Sequence, residues 1–242
     1  MKKIGITGAA GNIGTTHTEA LRDKYELTLF DLKETRGKGS LKFIKVDLAE
    51  RNRLNGIFKG LDCLIHLAGN PRPDVPAEVT IKNNFIATSY VFQQALEDNV
   101  KKIIFASSNF YHQGSVSEAL SSRSKRLITL DMPPTPGCPY AESKVFAETI
   151  GRHLSYLGMQ FIALRIGWTV PEDDPSLYAG EYMRAVFCSK RDLAQAFLKA
   201  IEINTGFLAA YAVSKNTKGV FDLAETRKKL GFDPQDDAEK YF

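Results

Sequence analysis

The chain has 242 residues, 32 basic and 28 acidic side chains, a formal net charge of +4 and a hydrophobic fraction of 43%. At roughly 100–200 residues per domain it makes one large domain or two small ones, and it is long enough to bury a core. A charged fraction of 25% with 10% aromatics excludes a disordered composition, and the small basic excess leaves no footprint for nucleic acid.

Cys63, Cys138 and Cys188 are odd in number and widely spaced, and His17, His66, His112 and His153 are scattered. Neither a disulfide framework nor a structural zinc site is expected. Met1 to Ile4 lead straight into a glycine-rich turn without the apolar core of a signal peptide. The most apolar late stretch, 207–213, falls far short of the ~20 residues that span a bilayer. The expectation is a cytoplasmic protein without a membrane partner.

Strand and helix patterns alternate through the first two-thirds of the chain. Lys3–Thr7 reads as an apolar strand ending in glycine, 12–23 as a helix, Glu26–Asp31 as a second strand and 42–46 as a third. A polar helix is expected over 49–58, a fourth strand over 62–68, a helix over 83–97 and a fifth strand over 101–107. A long helix over 140–157 and a sixth strand over Gln160–Ile166 follow, and 191–202 reads as one more sheet-covering helix. This alternation predicts an α/β fold, a doubly wound parallel sheet of the Rossmann type. The expected division is a Rossmann core over 1–166 and a small C-terminal cap over 167–242, with one helix near 190–203 returning to the core. Two stretches break the rhythm: the proline-rich 70–76 and the long polar, basic 114–139. Long loops at the carboxyl ends of sheet strands are where such folds bind ligands.

The first strand ends in TGAAGNIG, residues 7–14. Gly8 and Gly11 let the backbone turn tightly and approach a pyrophosphate, which the free N–H groups of a helix opening at Asn12 and Ile13 would meet. Gly14 permits close helix–strand packing. Alone the pattern is also compatible with an ordinary glycine turn. Its context strengthens it, because Asp31 ends the next strand about 20 residues on, where an acid binds ribose hydroxyls. A carboxylate there, with Leu32 beside it, repels a 2′-phosphate and favours NAD over NADP. Asp47 and Leu48 after the third strand, and Leu67, Ala68 and Gly69 after the fourth, fall on the same side as candidate cofactor contacts. His66 reads as a packed, locally bonded residue rather than a catalytic one.

Tyr140 and Lys144, in YAESK, lie four residues apart at a helix start and so share one face. A phenol with a reference pKa of about 10 is too weakly acidic to serve as a base near neutrality, and a neighbouring ammonium is expected to lower it. Ser108, in FASSN, is the candidate hydroxyl to hold a substrate oxygen as it becomes a carbonyl. Asn109 is a candidate for a neighbouring substrate hydroxyl.

With these motifs in order, the sequence resembles the short-chain dehydrogenase/reductase superfamily, in its extended branch of NAD-dependent sugar epimerases and dehydratases. TGAAGNIG matches that branch's TGxxGxxG loop, YAESK its YxxxK pair, HLAG its motif after the fourth strand and FASSN its serine strand. The resemblance implies catalysis by Ser108, Tyr140 and Lys144, with Lys144 also bonding the nicotinamide ribose. It further implies Ser107 near the cofactor, Asn84 holding the lysine's water network, and a homodimer through the helices over 83–97 and 140–157. The segment LRIGWTVP, 164–171, and the order of the downstream pieces are most similar to uronate dehydrogenases, which oxidise the anomeric hydroxyl of a hexuronic acid. The substrate wall departs from that pattern. Phe110 stands where a histidine is expected, Trp168 and Pro71 where serines are, and Tyr182 near the expected carboxylate-binding arginine, with Arg184 two positions on.

The reading is therefore an NAD-dependent oxidation of a small sugar or sugar acid, with Asn109, Phe110, Arg72, Trp168 and Arg184 as candidate substrate contacts. A 4,6-dehydratase is disfavoured, because Asn109 and Phe110 occupy the places of its acid–base carboxylates. A nucleotide-sugar epimerase is the alternative, set against the short stretch after Arg165. A non-catalytic NAD-sensing protein is a third reading, opposed by the presence of Ser108, Tyr140 and Lys144. The basic run Arg123, Ser124, Lys125 and Arg126 is either an attractor for an anionic substrate or a solvated loop.

Overall fold

The computed structural model describes residues 1–34, 39, 41–122, 126–178 and 180–242. Seven parallel strands, β1 (Lys3–Thr7), β2 (Glu26–Asp31), β3 (Lys42–Lys45), β4 (Cys63–His66), β5 (Lys102–Ser108), β6 (Gln160–Ile166) and β7 (Phe207–Ala212), form one sheet in the order β3-β2-β1-β4-β5-β6-β7. The chain runs outward from β1 to β3, then crosses back to lay β4 on the other side of β1. That reversal opens a crevice at the carboxyl ends of β1 and β4, where doubly wound sheets bind ligands.

The central strands are buried along almost their whole length because helices cover both faces. Alternation along each strand divides the core in two. Ile4, Ile6, Ile104, Ile162 and Leu164 pack on one face with Leu193 and Phe197. Leu64, Ile103, Phe105 and Phe161 pack on the other with Val91 and Phe92.

The helices are α1 (Asn12–Leu21), α2 (Ala77–Thr80), α3 (Ala87–Glu97), α4 (Gln113–Ser122), α5 (Pro139–Tyr156), α6 (Glu181–Val186), α7 (Lys190–Glu202) and α8 (Ala224–Leu230). A π-turn, Ile81–Ile86, joins α2 to α3. Proline at the first position of α5 suits a helix start, where its missing N–H costs no bond. α5 then crosses β6 closely at Gly151, where a Cβ would lie 2.3 Å from the Phe161 ring. Among the described residues no helix is long and apolar enough to cross a membrane.

Four expectations are corrected. The polar helix over 49–58 is a single 3₁₀ turn, Arg51–Leu54, followed by Gly56 and Gly60 at φ +70° and +80°, a conformation that ends a helix. The helix expected from 83 begins at Ala77, behind Pro76. The stretch 114–139 contains α4, whose Val116 and Ala119 pack with Ile128 and Phe221. The run at 207–212 is β7, so the sheet continues beyond residue 166 and α7 is not the only later element on the core. α7 is the crossover that delivers β7 parallel to β6.

Three buried histidines give the fold a pH dependence. Burial lowers His17 to about 4, His66 to about 3 and His112 to about 4. His66 lies between Thr7 (2.7 Å) and Thr88 (3.1 Å), packed as the sequence suggested. Below the unfolded-state value of 6.5 the unfolded chain takes up protons that the native state refuses, so stability falls as pH drops from 6.5 toward 4. Each histidine contributes up to about 1.4 kcal/mol per pH unit. The urea midpoint should therefore be clearly lower at pH 5 than at pH 7.5; equal midpoints would contradict this account.

Candidate active site

Because every strand is parallel, Thr7, Asp31, His66, Ser108 and Ile166 all end at one edge of the sheet. The glycine loop lies there. Gly8 sits at φ +70°, and a Cβ on it would come within 2.6 Å of the Ala68 amide nitrogen. A Cβ on Gly14 would lie 2.3 Å from the Gly8 carbonyl oxygen. The loops after β1 and β4 thus touch backbone to backbone, at a distance only glycine permits. α1 starts from Gly11 with no side-chain cap and no acidic residue in its first turn. Its amino-terminal N–H groups are left for an anion, and the cradle fits a pyrophosphate. Ile13 packs into the core, and Asn12 donates to Thr169 Oγ1 at 3.4 Å.

Asp31 braces this loop: Oδ2 accepts from the Ala10 N–H (2.8 Å) and Oδ1 from the Lys33 N–H (3.1 Å). Leu32 beside it is 53% exposed. Asp47 accepts from the Ala49 N–H (2.9 Å) and from Lys82 (3.2 Å), which hold its carboxyl below its ordinary range. Leu48 is buried and Leu67 packs against the core. Gly69 lies 3.4 Å, measured from its would-be Cβ, from Asn84. On the π-turn, Asn84 accepts from the Asn70 N–H (2.7 Å), donates to the Asn70 carbonyl (3.0 Å) and reaches Ser143 Oγ (3.4 Å). A π-turn at such a position commonly marks a functional site.

Tyr140 and Lys144 project from the first turns of α5 toward the end of β5. Lys144 Nζ donates to the Ala106 carbonyl at 2.9 Å and stands 5.1 Å from the centre of the Tyr140 ring. Burial lowers Lys144 to about 8, against the opposing pull of Glu148. Burial raises the Tyr140 phenol above its ordinary value, and a hydrogen bond with the Ser108 hydroxyl opposes the rise. The expectation that the lysine ammonium would set the phenol's acidity is thus corrected: removal from water is the larger effect. Ser108 Oγ also accepts from the Phe110 N–H at 3.2 Å.

Ser107 is engaged elsewhere. Its hydroxyl donates to Glu148 Oε1 at 2.6 Å. Glu148 also takes two bonds from Arg165, Nε at 3.1 Å and Nη2 at 2.9 Å, in a pair whose side chains are only 1–2% exposed. The guanidinium stacks 3.5 Å over the Tyr111 ring and donates to the Leu130 carbonyl. Sequence reading did not single out this pair; the signal was a glutamate one turn beyond Lys144 and an arginine inside an apolar strand.

The structure joins some substrate candidates and separates others. Phe110 stands edge-on to Tyr140 (5.6 Å between ring centres) and to Tyr182 (6.2 Å). Tyr182 donates its hydroxyl to Asn109 Oδ1 at 2.5 Å, and Asn109 Nδ2 donates to the Ile166 carbonyl at 3.1 Å. Trp168 lies 6.0 Å from Tyr182. Arg184 is turned away: it pairs with Glu239 (3.4 Å) and covers the Phe242 ring (4.1 Å). Positions two apart on a helix diverge by about 200°, so with Tyr182 facing Asn109, Arg184 faces the carboxyl-terminal tail. Arg72 is exposed and paired with Asp74. Of the basic run, residues 123–125 lie outside the described residues.

The model of the NAD dependent epimerase/dehydratase family matches residues 4–172. The chain is 31% identical to an L-arabinose 1-dehydrogenase (NAD(P)(+)) of Haloferax volcanii, over 98% of both chains. The crystal structure of uronate dehydrogenase from Agrobacterium tumefaciens superposes with a TM-score of 0.85 at 27% identity, covering all of this chain and 87% of the other. A mutant of that enzyme complexed with NAD superposes equally well at 26% identity, with the same coverage.

Breaking the buried pair on one side leaves an uncompensated charge in the core. Glu148→Gln or Arg165→Met should each cost about 3–5 kcal/mol of stability, and joint replacement much less than their sum. Urea unfolding of the two single variants and the double variant measures the coupling; additive losses would show that the pair is not the unit described.

Proposed function

The chain belongs to the NAD-dependent epimerase/dehydratase family, and on that premise we propose that it is an NAD-dependent dehydrogenase oxidising a hydroxyl of a small sugar or sugar acid. The observation that carries the reading is the convergence of Ser108, Tyr140 and Lys144 beside the glycine cradle. Gly8, Gly11, Asn12 and Ile13 bind the pyrophosphate. Asp31 and Leu32 meet the adenosine ribose, and Asp47, Leu48, Leu67, Ala68 and Gly69 line the adjoining strand ends. NAD, when bound, supplies the hydride acceptor.

The remaining chemistry belongs to the chain. Tyr140, as phenolate, removes the proton of the substrate hydroxyl while the Ser108 hydroxyl holds the same oxygen. Lys144, held in place by the Ala106 carbonyl, would have N–H donors left to hold the ribose of NAD. Asn84 secures Asn70 and the approach to α5. Ser107 acts through Glu148 rather than on the cofactor, and Asn109 positions Tyr182. Since burial raises the phenol, oxidation is favoured on the alkaline side, where the phenolate is more populated.

A panel of sugars, sugar acids and sugar phosphates should yield stoichiometric NADH, and little NADPH when NADP replaces NAD, because Asp31 repels the 2′-phosphate. Isomerised product without net NADH would identify an epimerase instead, and equal use of NADP would remove the role given to Asp31. Tyr140→Phe should lower turnover at least about 100-fold with NAD affinity nearly intact; unchanged turnover would sink the assignment.

A homodimer through α3 and α5 and a cytoplasmic location complete the proposal. The dimer is supported by the pairing surface that the family resemblance implies. The free thiols Cys63, Cys138 and Cys188 support the location. Light scattering should give twice the chain mass of 26.9 kDa; a monomer would contradict the dimer. Activity recovered outside the cytoplasmic fraction would contradict the location.

A further inference from the structure

Beside Tyr140 the site is walled by aromatic rings in a continuous series. Phe110 meets Tyr140 and Tyr182 edge-on, Tyr182 meets Trp168, and Trp168 meets Tyr178 at 6.2 Å. The series starts at Tyr140 and passes through Trp168, next in the chain to Thr169, which accepts a hydrogen bond from Asn12 at the start of α1. The main chain of Trp168 is pinned on both sides, by N–H to the Val186 carbonyl (2.8 Å) and by its own carbonyl to the Cys188 N–H (3.0 Å). Trp168 as a residue is nonetheless 43% exposed. A large aromatic residue left this exposed beside Tyr182 has surface for a ligand to cover.

The side-chain polar atoms of Tyr182, Asn109 and Tyr178 are engaged with protein partners. The Tyr182 hydroxyl is bonded to Asn109, Asn109 to Ile166, and the Tyr178 hydroxyl to Glu172 at 3.2 Å. The arginine on α6 is drawn away from the wall by Glu239 and Phe242, and Arg165 is locked in the core by Glu148. Ring faces carry negative potential: they attract the C–H face of a sugar ring and repel a carboxylate, which would also lose its water.

We infer that the substrate is an uncharged aldose, whose apolar ring face lies on the wall formed by Phe110, Tyr182 and Trp168, and that the wall selects against sugar acids. The inference rests on the dehydrogenase reading above and narrows its substrate class.

The test is NADH production by the full chain on matched pairs, D-galactose with D-galacturonate and D-glucose with D-glucuronate, together with L-arabinose. At least one neutral sugar should exceed its acid by about 100-fold or more in kcat/KM, a discrimination within reach of a site that strands a polar group. Equal or better use of the acids would overturn the inference and leave the dehydrogenase standing. No NADH from these compounds or from the wider panel of sugars, sugar acids and sugar phosphates would overturn the dehydrogenase reading itself, and NADH from a sugar phosphate alone would overturn the inference. Two substitutions at the exposed ring test the wall directly. Trp168→Ala should raise KM for the neutral sugar about tenfold with a smaller change in kcat, as loss of binding contacts predicts. Trp168→Arg should move the acid-to-neutral ratio of kcat/KM about tenfold toward the acid. A Trp168→Ala variant with unchanged KM, or an unmoved ratio in Trp168→Arg, would remove Trp168 from the wall.

Discussion

Glu148 and Arg165 meet in the core at a point where three elements must keep a fixed spacing. The carboxylate belongs to α5, the guanidinium to β6, and the Ser107 hydroxyl bonded to the same carboxylate to the end of β5. Both charges are almost entirely out of water, so neither can leave its partner without a large penalty. The pair therefore fixes the rotation of α5 about its axis. Lys144 is one turn before Glu148 and Tyr140 two, so the same contact aims the ammonium at Ala106 and the phenol at Ser108. Stacking on Tyr111 and the bond to Leu130 complete the guanidinium's shell. An apolar pair of similar volume would pack equally well, but it would not specify one register of helix against strand.

The glycine positions give the geometry its second constraint. Gly151 lets α5 approach Phe161, Gly14 lets α1 approach the Gly8 turn, and Gly8 lets the loops after β1 and β4 touch. Each removes a side chain at a close approach, of backbone to backbone at Gly8 and Gly14 and of α5 to the Phe161 ring at Gly151, and together they let the glycine loop and α5 pack closely on the sheet. The parallel topology does the rest, since every strand ends there and every loop that follows is available to the site. Trp168 and Tyr182 of the aromatic wall come from the later part of the chain, Phe110 from the turn after β5, and the residue after Trp168, Thr169, is bonded to Asn12.

Legibility followed the range of the interaction. The glycine loop, Asp31 and the tyrosine–lysine pair are short-range patterns, each carried by residues within one turn or one strand end, and all were readable. α4 was not, because Val116 and Ala119 are a weak stripe that becomes a helix only against Ile128 and Phe221. β7 is not legible because a six-residue apolar run carries no sign of its partner; the crossover through α7 supplies one. The polar helix over 49–58 failed for the opposite reason, since local propensity gave way to two glycines in the left-handed region.

What the sequence by itself determined is the class of fold, the glycine turn between β1 and α1 and the placing of Tyr140 and Lys144 at a helix start, because these depend on residue type and local spacing. The tertiary structure decided what surrounds them. It committed Ser107 to Glu148, turned Arg184 to Glu239 and left Tyr182 on the wall. It also set the acidity of Tyr140 chiefly through burial rather than through Lys144. These outcomes depend on which groups share a low-dielectric space and which charges find partners there, and such proximities arise only when distant segments pack.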